Sequence, residues 1–437
     1  MGRGYIAAII ALLVIACGTE PTNVIVSTQL PETAPSPVIP DIVITVAAKT
    51  AEAEIIIPTA TPEPGHWSEG PGLNDRRSGH IAVKLNDGRI LVAGGSHPIG
   101  LSRVPGGTIL GFVGDQSGEG IATAEILDAN QKEWSFVLPM SVARTNATAT
   151  LLDDGAVLVA GGESDNGVPL DSAEIFDPET GRWQLTGSMA SPHAVHTATL
   201  LPDGTVALIG GLQRVPGEEP GTPSTVEIFD PKTGEWSDGP ELIASESSIS
   251  QSRFMHDAIL VGGTHILVVG GVSTDGVQYN SVQSVLLLDT QTMQWRFAEP
   301  SNSRRQSTRL ALLPDGRILA AGGADQNPRS ESWDPGNGTW TTSGAAEGIR
   351  QGHEIAVLND GRVMALGGRS SFRTLNSVEL YSVADDTWTE VPNMSERRLG
   401  STAIVLDDGR VLVAGGAASL GRGEYETKRS VEIYSIP

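Results

Sequence analysis

The chain has one cysteine, Cys17, in 437 residues. That excludes a disulfide framework, a paired-cysteine zinc site and any internal thiol pair. Positive charge is scarce: 29 Lys plus Arg stand against 52 Asp plus Glu, a formal net charge of −23. A balance of that sign argues against the phosphate-neutralising surface of a nucleic-acid binder, and equally against a polybasic grip on anionic lipid. Charged residues make up only 19% of the chain and aromatics 5%, whereas glycine is abundant at 52 residues. This is the composition of a turn-rich all-β protein. Membrane-spanning length is also missing at the N-terminus, where the apolar stretch Tyr5–Ala16 has 12 residues and a bilayer takes ~20. The sequence holds no GxSxG, HExxH or P-loop pattern, so no standard catalytic motif announces an enzyme.

The short apolar stretch follows Arg3 and ends in Val14-Ile15-Ala16-Cys17-Gly18. A positive start, an apolar centre and a small residue before the end read as a secretory signal. The ending resembles the bacterial lipobox, although that pattern prefers Leu where Val14 stands. The resemblance implies cleavage before Cys17 and lipidation of that residue, giving a lipoprotein anchored to the membrane on the extracytoplasmic side, with residues 1–16 as signal peptide. Two acyl chains make such anchoring stable. Residues 17–65 then read as a tether, because residues 18–65 carry eight prolines and proline-rich chain favours extended, semi-rigid conformations.

The rest of the chain is a repeat. Glycine doublets stand at Gly94-Gly95, Gly161-Gly162, Gly210-Gly211, Gly270-Gly271, Gly322-Gly323, Gly367-Gly368 and Gly415-Gly416. Each closes a run of four apolar residues, such as Ile90–Ala93, which reads as a strand buried on both faces. Each run follows a tight-turn signal, Asp-Gly in six units and Gly262-Gly263 in the fourth. After each doublet comes a third strand (Ala124-Glu-Ile-Leu-Asp128 is typical). In six units a spaced position follows, occupied by Trp134, Trp183, Trp236, Trp295, Trp340 and Trp388. The seventh unit ends at Pro437 without a tryptophan, while a spare one, Trp67, precedes the first unit. The spacing predicts seven four-stranded units, with the N-terminal strand around Trp67 supplying the missing outer strand of the last. Self-similarity at this period signals a propeller or array, and closure of the ring removes exposed sheet edges.

The doublets, the third-strand glutamates and the spaced tryptophans together resemble the kelch family over residues 66–437. The resemblance implies an all-β, seven-bladed β-propeller of four-stranded blades, the fold of the central domain of galactose oxidase. It also raises a copper-radical oxidase, whose site uses a crosslinked cysteine. The domain after Cys17 has none, which disfavours that chemistry, and no cofactor or metal is expected.

Within a blade the strands a, b, c and d alternate in direction, so the b–c and d–a connections share one face. The opposite turns are short and uniform. The variable face includes a long first b–c loop, Ser96 to Ala124, with Phe112 in its apolar centre, and a lengthened d–a connection before Arg253. Variable loops on a rigid scaffold are where binding usually resides. Seventeen residues before each doublet stands a basic residue: Arg77, Arg144, His193, Arg253, Arg305, Arg350 and Arg398. Three residues later come His80, His196, His256 and His353 in four of the seven units. Pointing inward, these residues would form a cationic collar suited to carboxylates or acidic sugars. Pointing elsewhere, the basic residues would pair with the third-strand glutamates as scaffold. Arg253 is singled out because Leu286 replaces its glutamate. The ligand-binding candidates are therefore Arg253, Arg77, Arg350, His256, His353 and Phe112. The expected function is a membrane-tethered binding module for a protein or carbohydrate ligand, with no nucleic acid. The alternative, again by resemblance, is a cofactor-free sugar-active enzyme such as a sialic-acid mutarotase-like epimerase.

Overall fold

The computed structural model describes residues 65–436, apart from 98–101, 104–108, 111–118, 166, 214–220, 243–250, 275–278, 324–328, 347, 372 and 422–423. The signal-peptide and tether expectations, Cys17 and Phe112 lie outside the described residues, as does most of the lengthened connection before Arg253.

Seven four-stranded antiparallel sheets follow one another along the chain. In the first, strand a is Ile81–Lys84, b is Ile90–Ala93, c is Ala124–Leu127 and d is Trp134–Val137. The seventh combines Thr402–Val405, Val411–Ala414 and Val431–Ser435 with the N-terminal His66–Glu69. That last pairing sets Trp67 opposite Tyr434, so the ring closes as the spacing predicts. Each a strand touches the a strand of the next sheet, and the seventh touches the first. The a strands therefore surround the axis and the d strands form the rim. Among the described residues the elements are strands and turns, without helices.

The b strands are apolar throughout because they have no solvent side. All four residues of Ile90–Ala93 and of Val157–Ala160 are buried. Alternate residues face opposite neighbours: Ile90 and Val92 pack toward blade 7, while Leu91 and Ala93 pack toward blade 2. The core is thus a series of interblade layers, each buried Val, Ile or Leu contributing about 1.5–3 kcal/mol.

The glycine doublets serve the blade-to-blade contact. The N–H of the second glycine donates to the carbonyl of the next blade's basic residue. The series runs Gly95 to Arg144, Gly162 to His193, Gly211 to Arg253, Gly271 to Arg305, Gly323 to Arg350, Gly368 to Arg398 and Gly416 to Arg77, at 2.7–2.9 Å. The circuit is complete, and it explains the repeated doublet. At Gly415 a Cβ would lie 2.6 Å from the Arg77 carbonyl oxygen and 2.7 Å from Cε1 of His80, with φ at +61°, where only glycine is comfortable.

The tryptophans add a second tie. Trp183 packs on Phe176 at 4.9 Å between ring centroids, Trp236 on Phe229 at 5.0 Å and Trp388 on Tyr381 at 5.3 Å. Several indole N–H groups reach back to the preceding blade: Trp134 donates to Pro71 O and Trp183 to Leu138 O, both at 2.8 Å, and Trp67 donates to Pro392 O at 2.6 Å. Phenylalanine would supply the stacking but no donor.

Candidate functional site

Each a strand is entered through a residue in the left-handed conformation, two places after the basic residue. These are Gly79, Asn146, Val195, Met255, Ser307, Gly352 and Gly400, with φ between 52° and 63°. Four of them are not glycine, and a β-branched Val195 at φ 54° is a strained choice. Their backbones link successive blades: Gly79 N donates to Gly400 O, Asn146 N to Gly79 O, Val195 N to Asn146 O, Met255 N to Val195 O and Ser307 N to Met255 O. This strained entry lies at the end of the channel that shares a face with the b–c and d–a connections.

The turn decides which side chains reach the axis. The seven basic residues do not. All are at most 4% exposed, and each bonds its own blade's doublet carbonyl, as Arg77 Nη1 bonds Gly94 O at 2.7 Å and Arg350 Nη1 bonds Gly367 O at 3.0 Å. Where the third-strand glutamate is present it completes a buried pair, with Arg77 to Glu125 at 2.7 Å and Arg350 to Glu379 at 2.6 Å. The glutamates also accept backbone N–H groups of the d–a connections, such as Asn74 N on Glu125 and Ser141 N on Glu174. The expectation of a cationic collar is therefore corrected: Arg77, Arg350 and their equivalents are bound into the scaffold. Arg253 is not open to a ligand either. With Leu286 in place of glutamate, it bonds Gln251 O and the Gln251 side chain at 3.0 Å, and Ser284 O at 2.8 Å, with no exposed surface.

The channel itself is a cavity of about 460 Å³ lined by the starts of all seven a strands. His80, His196 and His256 border it, each with Nε2 at 2.9–3.0 Å from a threonine of the preceding blade: Thr402, Thr148 and Thr197. Burial holds all three imidazoles, and His353, below the usual histidine range, His256 at about 3. They are neutral at physiological pH.

The charges in the channel come from residues that the sequence reading passed over. Next to the histidine position, successive blades carry Ile81, Thr148, Thr197, Asp257, Arg309, Glu354 and Thr402. Three adjacent blades thus place ionisable side chains where four place Ile or Thr. Arg309 Nη2 lies 3.0 Å from Glu354 Oε1, across the seam between blades 5 and 6. Asp257 Oδ2 accepts the N–H of Leu310 at 2.7 Å and Oδ1 that of Ala258 at 3.0 Å. Burial pushes the Asp257 carboxyl up, against the pull of Arg309, while Glu354 and Asp257 hold Arg309 firmly protonated. The register at which Thr and Ile give way to charge was the signal available in the sequence.

The loop-rich face carries a second depression. Hairpins Arg369–Ser370/Arg373–Thr374 of blade 6 and Ala417–Gly421/Glu424–Thr427 of blade 7 stand side by side, tied by Ser419 N donating to Thr374 Oγ1 at 3.0 Å. A cleft of about 430 Å³ between them is lined by Ser370, Arg373, Thr374, Arg397, Ser419 and Leu420 among others. Arg373 and Arg397 are exposed, and neither forms an ion pair among the described residues.

Comparison with known proteins agrees with this architecture. The family model of the KLHDC2/KLHL20/DRC7 Kelch-repeats domain matches residues 195–416, just over half of the chain, and the Kelch motif matches residues 144–190. The chain belongs to the kelch-repeat family. No curated protein sequence matches it. Among solved structures, this kelch propeller is similar to a fungal alcohol oxidase of the AA5 family in complex with copper, with a TM-score of 0.65 and 15% identity, covering 86% of this chain and 76% of that one. At that identity the likeness is one of fold alone. Among the described residues no group of three or more His, Cys, Asp or Glu is placed to hold a metal ion.

Proposed function

We propose that this kelch propeller is an extracytoplasmic binding module, held at a membrane by a lipid on Cys17 and a tether over residues 17–65, that takes a protein or carbohydrate ligand on its b–c and d–a loop face. One observation carries the reading. Every extra hairpin among the described residues falls in a b–c connection, on blades 1, 4, 6 and 7. The a–b turns of the opposite face are near copies of one another, with Asp87, Asp154, Asp203, Asp315, Asp360 and Asp408 each accepting the N–H two residues on. A scaffold that holds one face constant and elaborates the other is built to present the elaborated one. The cleft at Arg373 and Arg397 favours a ligand with an acidic group, since guanidinium binds carboxylate, sulfate or phosphate in a fork.

The test screens the full chain on glycan and peptide arrays, alongside the double variant Arg373→Glu/Arg397→Glu and a turn-face control, Asp203→Ala. Acidic ligands should bind, weaken about tenfold or more (~1.4 kcal/mol) in the double variant and persist in the control. Equal loss in both variants, or binding indifferent to either, would sink the loop-face reading. The tether has its own check: Cys17→Ala should release the protein from the membrane fraction.

A further inference from the structure

The channel cluster has no structural duty that the repeat requires, because four blades manage with Ile or Thr at the same position. It is also unbalanced. Asp257 and Glu354 supply two negative charges and Arg309 one positive, and the surrounding histidines are neutral. Arg309 is paired with Glu354, so the excess charge rests mainly on Asp257, whose own bonds are to two backbone N–H groups.

Beside it stands an unusual histidine. In three other blades the histidine Nε2 meets the threonine of the preceding blade. For His353 that position is Arg309, which has no acceptor to offer. His353 is 1% exposed, and neither of its ring nitrogens has a hydrogen-bond partner. Buried polar atoms without partners are rare; the Nδ1 atoms of His80, His196 and His256 share that condition, and His353 differs in that its Nε2 lacks a partner too. The Arg309 charge acts on the His353 ring, which stands behind the cavity wall: His80, His196 and His256 line the cavity and His353 does not.

We propose that the channel is a binding site for a small singly charged amine, its ammonium N–H groups held by Asp257 and the second oxygen of Glu354, both of which line the cavity. What the site offers is acceptors and one uncompensated negative charge. An anion would have to enter between two carboxylates to reach a guanidinium already paired. An uncharged polyol could bond the same groups but would leave the charge uncompensated, and hydrogen bonds between ionised partners are roughly twice as strong as neutral ones. A divalent metal finds no ligand set among the described residues and faces Arg309. The cavity, at about 460 Å³, lies in the range of ~300–1,000 Å³ typical of small-molecule sites. It would admit ligands up to the size of an amino sugar. This site is separate from the loop-face cleft and does not depend on it.

The experiment is calorimetric titration of the full chain with ethanolamine and glucosamine as probes, and with glucose, glucuronate and tetramethylammonium as controls. Both amines should bind, and the controls should not. Asp257→Asn should weaken ethanolamine about tenfold or more. Arg309→Met should leave amine binding intact or strengthen it, since it removes the competing cation. Ala149→Phe narrows the channel from blade 2 without touching the charges; Ala149 also packs on the layer between blades 1 and 2, so the variant is read only where its circular dichroism matches the parent, and there it should abolish binding. Glucuronate binding lost in Arg309→Met would make this an anion site and overturn the proposal. Glucose binding as tightly as glucosamine, no heat with either amine at millimolar concentration, or undiminished amine binding in a folded Ala149→Phe would overturn it as well.

Discussion

Arg253 donates to Gln251 twice, from Nε to its carbonyl and from Nη2 to its side-chain oxygen, both at 3.0 Å. In the six other blades a glutamate faces the basic residue; here a glutamine two residues away takes over. Gln251 Oε1 also accepts from Ser284 Oγ at 2.8 Å, so two donors meet at one amide oxygen. The guanidinium is sealed without a counter-charge, and burial lowers its pKa to about 9. A base whose folded pKa lies below its unfolded value binds fewer protons when folded, so its cost to stability is present in full below about pH 9 and is relieved as pH rises through it.

Gln251→Ala should therefore cost about 1–3 kcal/mol, the penalty of leaving a buried donor unpaired. Gln251→Glu should recover that loss by giving the guanidinium a carboxylate. Denaturant unfolding of the three proteins checks the order. An alanine variant as stable as the parent would mean that Gln251 does not hold Arg253.

The blades and their closure were legible because each rests on a constraint repeated at fixed spacing. The doublets recur because the next blade's carbonyl passes within hydrogen-bond distance. The tryptophans recur because an indole both stacks and donates across the seam. The orientation of the basic residues was not legible. A left-handed residue, Asn146 or Met255 for example, lies between the basic position and the axis-facing position, and its turn sends the two side chains to different places. Gly79, Gly352, Gly400 and Asn146 are types that tolerate a positive φ, but Val195, Met255 and Ser307 announce none, so the turn did not read as a feature of the repeat. Asp257, Arg309 and Glu354 were visible only as departures from the repeat. A search for what recurs passes over what departs, and departures are where a repeat protein stores its individuality.

The channel histidines make acid stability predictable in sign. A buried neutral histidine with a depressed folded pKa takes up protons more readily when unfolded. Its contribution is present above the unfolded pKa near 6.5 and is lost as pH falls toward the folded value. For His256, at about 3, the loss between pH 7 and pH 5 is about 2 kcal/mol. Asp257 acts in the opposite sense, because burial raises its carboxyl, but it is common to the parent and to a histidine variant. His256→Gln should therefore lose about 2 kcal/mol less than the parent over that interval, each measured against its own value at pH 7. Parallel stability curves for the two proteins would show that His256 is charged in the fold or open to solvent.

Ring closure rests on few residues, and Trp67 carries most of the side-chain contact. It packs on Tyr434 at 5.1 Å, donates to Pro392 O and belongs to the layer between blades 6 and 7. Trp183 makes the equivalent contacts from blade 2, on Phe176 of its own blade and Leu138 O of the preceding one. Alanine at either position should cost about 3 kcal/mol, the lower end for a large aromatic because both rings are partly exposed. The kinetic consequences should differ. Trp183 lies in a blade whose four strands are continuous in sequence. Trp67 lies on the strand that joins the two ends of the domain, and weakening it frees an end that can peel away. Trp67→Ala should open blade 7 locally before the domain unfolds, so limited proteolysis should cut near residue 70 faster than global unfolding allows, whereas Trp183→Ala should be cut only at the global rate. If both variants are cleaved at the global rate, the closing strand is held by its backbone ladder to Val431–Ser435 and not by its tryptophan.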